Sequence, residues 1–290
     1  MCGCSEVLNG ACRNRSARPS RHAALSDLCP VALRLLKMAV LNLSFAACGF
    51  MGIYHLGAVE AFLRHGDRLL GSLGACVGAS AGALVAAVVT TAPDKLENCK
   101  DFTFRFAESV RRQRFGAAIP GYDFMLTLRE GMEEILPSEA HSLASGRLFV
   151  SITHSVSGQN QLVSTFTSRD DLIKALLASS FVPVYAGFKP VTFRGQKCVD
   201  GGFTDSLPIL PSGRTVTVSP FSGPQDVSPL HRGRSAARLR LANMSVMLSL
   251  ENIKRLNMAL FPPSTAAMRT FCQEGFGDAV RFLRREDWMS

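Results

Sequence analysis

One uncharged stretch constrains the fold more than any other part of the chain. It runs from Leu69 to Pro93 and contains the motif G-x-S-x-G as Gly78-Ala-Ser80-Ala-Gly82. In this motif the serine occupies a sharp turn between a strand and a helix, and small neighbours allow the two backbones to cross closely. The stretch therefore predicts a buried strand, a turn at Ser80 and a buried helix whose positive end faces the serine hydroxyl.

A membrane-spanning helix is the main alternative for the same stretch. Its length exceeds the roughly 20 residues that a span requires, and Gly74, Gly78 and Gly82 repeat the G-x-x-x-G pattern of packed membrane helices. However, the run is mostly alanine and glycine, and glycines interrupt its first third. The buried strand and helix of an α/β core are favoured, since such cores contain continuous apolar runs.

Composition narrows the classes of function. The chain has 290 residues, 47% of them hydrophobic, and a net charge of +9, close to half of which comes from residues 1–40. With three Tyr and one Trp and no basic run interleaved with aromatics, nucleic acid is disfavoured as a partner, and anionic lipid is favoured. Nine scattered cysteines predict reduced intracellular thiols. Neither a metal-ligand cluster nor a phosphate-binding loop is evident, so no cofactor is expected.

The chain divides into three predicted regions. Residues 1–37 lack a sustained period and are expected to be a poorly structured extension, either an upstream addition that the fold does not need or a mitochondrial targeting segment. Residues 38–220 carry alternating strand and helix patterns, which predict a catalytic α/β domain with a mainly parallel sheet. Residues 221–290 are predicted to be a loop and a helical tail packed on or beside it.

Individual elements follow from hydrophobic periodicity and turn residues. Strands are predicted over 39–45, 75–79, 147–153, 161–165 and 214–219, with a hairpin over 191–199. Helices are predicted over 53–64, 81–91, 93–114, 122–135, 170–179, 243–260 and 276–288. A polar, basic loop is predicted over 220–238.

An esterase serine needs a base and donors for the oxyanion. The glycine turn over 47–52 is a candidate donor site through the N–H groups of Cys48 and Gly49, although a tight packing turn explains it as well. Three histidines are candidates for the base: His231 in a polar loop, His154 at a strand end and His55 on the first helix, where a packing role is favoured. A carboxylate, Asp200, remains, and Asp-Gly is also a common turn signal.

The ordered combination of residues 47–52, 78–82 and 200–202 strongly resembles the patatin-like phospholipase family over about residues 40–220. Segments 44–57 and 177–187 look like its animal adipose-lipase branch. The resemblance implies an α/β three-layer sandwich with a mainly parallel central sheet, in which Ser80 is the nucleophile on a strand-turn-helix elbow. It implies that Asp200 is the base without a histidine and that backbone N–H groups of Cys48, Gly49 and Phe50 form the oxyanion hole. The motif glycines are Gly52, Gly78, Gly82, Gly201 and Gly202.

Two residues depart from the family pattern. Ala47 stands where the broader family has glycine, and Met51 stands where plant and bacterial members have Arg or Lys. The loss of that charge favours a neutral ester over a charged phospholipid. Because an aspartate with an ordinary pKa is a weak base for an alcohol, the resemblance also requires an apolar setting that raises the pKa of Asp200.

The resemblance implies a lipid acyl hydrolase that forms an acyl-serine intermediate on triacylglycerol and retinyl esters, with phospholipase A2 and acyl-transfer activity as further expectations. The alternative is a catalytically weak lipid-surface module that docks through its Met-rich and basic C-terminal helices and recruits partners. In that segment, core packing of residues 243–260 and a solvated basic face over 276–285 are the simpler explanations. The expected location is intracellular, in the cytoplasm and peripherally on a membrane or lipid droplet, with mitochondria as a second possibility.

Overall fold

A seven-stranded sheet organises the part of the chain that the computed structural model describes, residues 40–113, 123–231 and 237–290. Several predictions extend outside these ranges: the extension over 1–37, the first residue of the strand predicted over 39–45, the helix ends at 114 and 122, and residues 232–236 of the predicted loop. The strands of the sheet are β1 Leu41–Phe45, β2 Leu73–Ala79, β3 Leu148–His154, β4 Asn160–Val163, β5 Val191–Phe193, β6 Gln196–Asp200 and β7 Arg214–Val218.

The centre of the sheet is parallel. Strands β7, β1, β2 and β3 are parallel neighbours in that order, whereas β4 and β6 pair with β3 in the antiparallel sense and β5 forms a hairpin with β6. The predicted α/β class with a mainly parallel sheet is confirmed.

The register of β3 explains how two distant parts of the sequence meet. Ser151 pairs with both β2 and β4, and Ile152 pairs with both β4 and β6. Since a strand has only two edges, β2 and β6 occupy the same edge of β3, running towards each other. They end beside adjacent residues of β3, β2 at Ala79 opposite Ser151 and β6 at Asp200 opposite Ile152. The residue after β2, Ser80, is thereby brought to the end of β6.

The helices include two short ones that the sequence patterns did not predict, Asp67–Gly71 and Ala140–Ala144. Their bounds are α1 Gly52–His65, α2 Asp67–Gly71, α3 Ala81–Thr91, α4 Leu96–Arg111, α5 Phe124–Ile135, α6 Ala140–Ala144, α7 Arg169–Ser179, α8 Leu250–Leu260 and α9 Thr265–Arg285.

The uncharged stretch over 69–93 is not a membrane span. It divides mainly into β2 and the 11-residue helix α3, both largely buried. Among the residues that the structure describes, no helix combines the length and the apolar character needed to cross a bilayer.

Apolar side chains cover both faces of the sheet. Within β2, Cys76 belongs to the main core, while Ala75 and Val77 on the opposite face pack with Leu210 in a smaller cluster. This alternation is the two-residue period of a strand that is buried on both sides.

The C-terminal helix α9 packs along α1 with almost no gap. A Cβ atom on Gly275 would lie 2.0 Å from the Tyr54 carbonyl oxygen, and one on Gly57 would lie 1.9 Å from that of Cys272. The two glycines therefore allow backbone-to-backbone contact, and α9 forms part of the core rather than an appendage.

The predicted helix over 243–260 is wrong in its first half. Residues Arg238–Leu241 and Met244–Met247 form a separate two-stranded hairpin, β8 and β9, and the helix α8 begins only at Leu250. Ala242 and Asn243 have φ of 41° and 66°, the backbone of a two-residue hairpin turn. The predicted loop over 220–238 ends where β8 begins, and the predicted helix over 276–288 begins earlier, at Thr265.

Candidate active site

Ser80 occupies a strained turn at the end of β2. Its φ is 55° and its ψ is −131°, a conformation that residues with a side chain rarely adopt, and it is 9% exposed. The neighbouring glycines permit the turn, since a Cβ on Gly82 would lie 2.1 Å from the Phe45 carbonyl oxygen and one on Gly78 would lie 2.5 Å from the Gly82 backbone. The sharp strand-turn-helix geometry predicted for the motif is present.

Asp200, at the end of β6, lies beside Ser80, close enough for the serine hydroxyl to act on the carboxylate, and the two residues line one cavity. The Gly202 N–H donates to the Asp200 Oδ1 at 2.7 Å, and the Thr153 hydroxyl donates to the Asp200 carbonyl at 2.8 Å. A Cβ on Gly201 would lie 2.0 Å from the Ser151 carbonyl oxygen, so this turn requires glycine. Both the carboxylate and its backbone are thus fixed in position.

Burial dominates the electrostatics of this carboxylate. Asp200 is 4% exposed, and desolvation raises its pKa from 3.8 to about 6, against the opposing effects of the nearby Ser80 hydroxyl and of the Gly202 N–H. The apolar setting that the sequence argument required is present, and the group is ionised but appreciably basic near neutral pH.

The glycine turn over 47–52 lies next to this pair. Cys48, Gly49 and Ser80 line one cavity together with Asp200. Within the described ranges, no group accepts a hydrogen bond from the backbone N–H of Cys48 or Gly49, so both donors are available to an oxyanion. Gly49 has a φ of 51°, and a Cβ there would lie 2.1 Å from the Ala259 carbonyl oxygen of α8.

The other predicted residues of this turn have different surroundings. Phe50 lines a second cavity together with Gly49 and Ser80, and Gly52 begins α1 with Ala81 close by. Burial, together with the charge of Asp200, holds the pKa of the Cys48 thiol well above its usual range, so this thiol is not a competing nucleophile.

The two departures from the family pattern are accommodated differently. Ala47 lines the cavity of Ser80 and Asp200, and its N–H donates to the Ser206 carbonyl at 2.8 Å. Met51 is fully buried in the core and lines neither cavity. Its neutral side chain therefore does not itself contact a substrate in either cavity.

The histidines weighed as bases lie outside both cavities. His55 is fully buried, its Nε2 is 3.0 Å from the Ala46 carbonyl oxygen, and desolvation lowers its pKa to about 4. His154 pairs with Gln161 at 2.9 Å, and neither it nor His231 lines the cavities at Ser80. The packing role expected for His55 agrees with its position.

Sequence reasoning missed a buried serine that holds the turn at Ser80 in place. The Ser80 N–H donates to the Ser179 Oγ at 2.9 Å, and the Ser179 hydroxyl donates to the Ser151 carbonyl at 2.7 Å. Ser179 ends α7 and is fully buried. It links the elbow to β3, whose Thr153 holds the backbone of Asp200. The only sequence signal was a pair of serines at a predicted helix end.

Two apolar cavities meet at Ser80. The inner cavity, about 140 Å³, follows one face of α3 through Leu84 and Val88 and is closed by side chains of α4 and α5. The outer cavity, about 390 Å³, contains Ser80 and Asp200. Gly49, Ser80, Val182, Ala259 and Leu260 line both cavities.

Most of the outer cavity is built by a segment to which sequence analysis assigned no site residue. The hairpin β8–β9, helix α8 and the short link between them supply much of its apolar wall: Leu239, Leu241, Met244, Val246, Met247, Leu248, Ile253, Leu256, Ala259 and Leu260. The predicted C-terminal tail is therefore part of the site.

Comparison with known proteins places this site in a described family. A family model named patatin-like phospholipase matches residues 43–211. The chain is 60% identical to "Patatin-like phospholipase domain-containing protein 4" of Homo sapiens, over 87% of this chain and 99% of that protein. It is 39% identical to "Patatin-like phospholipase domain-containing protein 2" of Rattus norvegicus and 36% identical to "1-acylglycerol-3-phosphate O-acyltransferase Pnpla3" of Mus musculus. These two alignments cover 84% and 83% of this chain and 51% and 58% of the relatives.

Proposed function

Because the chain belongs to the patatin-like phospholipase family, we propose that it is a lipid acyl hydrolase in which Ser80 and Asp200 form a catalytic dyad. The observation that carries the proposal is the juxtaposition of Ser80, which follows the end of β2, with Asp200 at the end of β6 in one cavity, where Asp200 is a buried carboxylate whose pKa is raised to about 6. Such a carboxylate is a stronger base than an ordinary aspartate and lies within reach of the proton that it must accept.

In the proposed first step, Asp200 accepts the hydroxyl proton while the Ser80 oxygen attacks the ester carbonyl carbon. The resulting oxyanion accepts hydrogen bonds from the N–H groups of Cys48 and Gly49, and the positive end of α3 adds a favourable dipole. The intermediate collapses as the bond to the leaving alkoxide breaks, and Asp200 returns the proton to it. An acyl-serine and a free alcohol result.

In the proposed second step, water or an acceptor alcohol attacks the acyl-serine, and Asp200 again accepts and returns one proton. Water yields a fatty acid, and an alcohol yields a new ester. The name of the mouse acyltransferase relative supports the second outcome as an activity of this chain. The Ser80 N–H does not donate to the oxyanion, because it already donates a hydrogen bond to the Ser179 hydroxyl oxygen.

The two cavities support a division of the substrate. We assign the acyl chain to the inner cavity, since apolar side chains enclose it beside α3, and the leaving alcohol with its remaining chains to the larger outer cavity. The almost wholly apolar walls suit triacylglycerol and retinyl esters, and phospholipids with their acyl chains in the same places. We propose that the enzyme works peripherally on a membrane or lipid-droplet surface, where such esters reside.

The test is fatty-acid release by the wild-type protein and Ser80→Ala on matched emulsions of triacylglycerol, retinyl ester and phospholipid, with and without an acceptor alcohol. Ser80→Ala removes only a hydroxyl, so folding should be retained. We expect release to be lost, and the ranking among emulsions identifies the preferred ester. Release that is absent in both proteins, or equal in both, refutes the hydrolase and favours a lipid-binding module instead.

A further inference from the structure

Helix α8 exposes its apolar side. Leu250, Ile253 and Leu256 are 77%, 57% and 50% exposed, and Leu260 belongs to the same stripe. These positions recur at the spacing that places side chains on one helix face. A helix in a globular protein normally turns such a stripe towards the core, so this arrangement needs an explanation.

The opposite side of α8 is firmly attached. Asn252 is buried, and its side chain bonds to the backbone N–H and carbonyl of Ser222 and to the Met247 carbonyl, at 2.7 to 2.9 Å. Arg255 donates to the Pro220 carbonyl and pairs with Glu274. Rotating the helix to bury its apolar stripe would break this set of bonds. The apolar stripe is therefore a built feature of the surface.

The exposed stripe continues directly into the candidate active site. We define the apolar rim as the exposed side chains that also line the outer cavity: Phe203, Leu239, Leu241, Leu248, Ile253, Leu256 and Leu260. The same cavity contains Ser80 and Asp200. Whatever covers the rim thus lies at the entrance through which a substrate would reach the nucleophile.

Basic side chains accompany the rim. In β8, Arg238 and Arg240 alternate with Leu239 and Leu241, and all four are exposed. Lys254 is exposed on α8, beside the apolar stripe. Apolar side chains flanked by arginine and lysine are typical of helices that lie in the interface of an anionic lipid layer.

We infer that the apolar rim is the surface that docks on an anionic lipid layer, with α8 lying in the plane of the interface and the outer cavity opening into the lipid. The inference rests on the proposed function for the identity of the occupant. It makes docking and substrate delivery one event, because the side chains that enter the layer are those that line the path to Ser80.

Leu250 and Phe261 provide the test, since both are exposed beside the rim and line neither cavity. A double variant that carries both Leu250→Ser and Phe261→Ser is compared with the wild-type protein. The assay is sedimentation with sucrose-loaded phosphatidylcholine vesicles, prepared with and without phosphatidylserine. Leu143→Ser is the matched control, an exposed leucine of α6 that lines neither cavity.

We expect the double variant to lose at least about tenfold in vesicle affinity, since each side chain withdrawn from lipid is worth about that factor. Fatty-acid release by the double variant from an emulsified long-chain ester should fall in parallel, while its turnover of a dissolved short-chain ester stays unchanged. Leu143→Ser should behave as wild type. Wild-type binding should weaken without phosphatidylserine.

Equal vesicle binding by the double variant and wild type overturns the inference, as does wild-type binding that ignores phosphatidylserine. Analytical ultracentrifugation that finds a wild-type dimer, dissociated in the double variant without a change in vesicle binding, assigns the rim to a second copy of the chain. Failure of the proposed function is distinguishable, because it appears as dissolved-ester turnover that is absent or independent of Ser80. The vesicle comparison decides the role of the rim in either case.

Discussion

Asp200→Asn should abolish turnover and stabilise the protein at neutral pH. Burial raises the pKa of Asp200 from 3.8 to about 6, which means that the folded state disfavours the charged carboxylate. One pKa unit corresponds to about 1.4 kcal/mol, so ionised Asp200 lowers the free energy of unfolding by about 3 kcal/mol. An asparagine at this position would carry no charge. Its oxygen would accept the hydrogen bond from the Gly202 N–H, and its amide would face the Ser80 oxygen as a hydrogen-bond donor.

The sign follows from proton binding. Between pH 3.8 and 6 the folded protein holds the Asp200 proton more tightly than the unfolded chain, so the stability of the wild type falls as pH rises through this window. The difference in free energy of unfolding between Asp200→Asn and the wild type should be smallest near pH 4 and should grow by roughly 2–3 kcal/mol in favour of the variant by pH 7.5. This corresponds to roughly 5–10 °C in Tm for a chain of this size.

Urea unfolding of both proteins at pH 4 and pH 7.5 measures the effect. Asp171→Asn is the matched control, since the Arg194 side chain holds the pKa of Asp171 below its ordinary value. Stability from such a group is complete well above pH 3.8 and is lost as pH falls from there through its lowered pKa, so this control should be destabilised nearly equally at both pH values, slightly less at pH 4. A pH-independent effect of Asp200→Asn, or destabilisation at pH 7.5, would refute the reasoning.

Three further predictions use the geometry directly. Ser179→Ala should lower kcat at least about tenfold with little change in KM, because the turn at Ser80 loses the hydroxyl that holds its N–H. Ser179→Thr, which keeps a hydroxyl, should recover part of the rate. If Ser179→Ala changes only the stability of the protein, Ser179 does not position Ser80. Val88→Phe, about 12 Å along α3 from Ser80, should reduce turnover of long-chain esters but not of short ones. Leu84→Phe, which is closer to Ser80, should exclude acyl chains of shorter length as well. An equal loss of turnover for all chain lengths would show that the acyl chain does not bind in the inner cavity. Gly275→Ala should destabilise the protein by several kcal/mol, because its Cβ would meet a backbone carbonyl oxygen. Gly277→Ala, in open space on the same helix, should stabilise the protein by up to about 1 kcal/mol. Thermal unfolding curves that shift in the same direction for both variants would contradict the close contact at Gly275.

The parts of the fold that could be predicted are those specified by local pattern. The uncharged run around Ser80 contains an apolar strand, small residues at a crossing and an apolar helix in immediate succession, and β2 and α3 follow it closely. Resemblance added Asp200, which spacing alone left open as a turn residue. The register of β3 then explains why two residues 120 positions apart in the chain lie side by side.

The parts that could not be predicted depend on contacts that sequence patterns do not specify. The hairpin turn at Ala242 and Asn243 lacks the glycine that usually signals such a turn. The apolar periodicity of α8 is the same whether its stripe faces a core or a lipid, so the pattern predicted packing where the structure has exposure. A lone buried serine such as Ser179 has no sequence signature, because its role comes from two backbone groups that tertiary structure brings together.

The absence of a histidine from the proposed dyad accounts for the close packing and the hydrogen bonds that hold Asp200. In a serine-histidine-aspartate triad, the imidazole supplies the basicity and the acid orients it. Here one carboxylate must do both, so basicity comes from burial and orientation from the Gly202 N–H, the Thr153 hydroxyl and the end of β6. Burial that raises the pKa also costs folding free energy. The stabilisation expected in Asp200→Asn and the loss of turnover in the same variant are thus two measurements of one property, and a variant that showed only one of them would separate the carboxylate from the chemistry proposed for it.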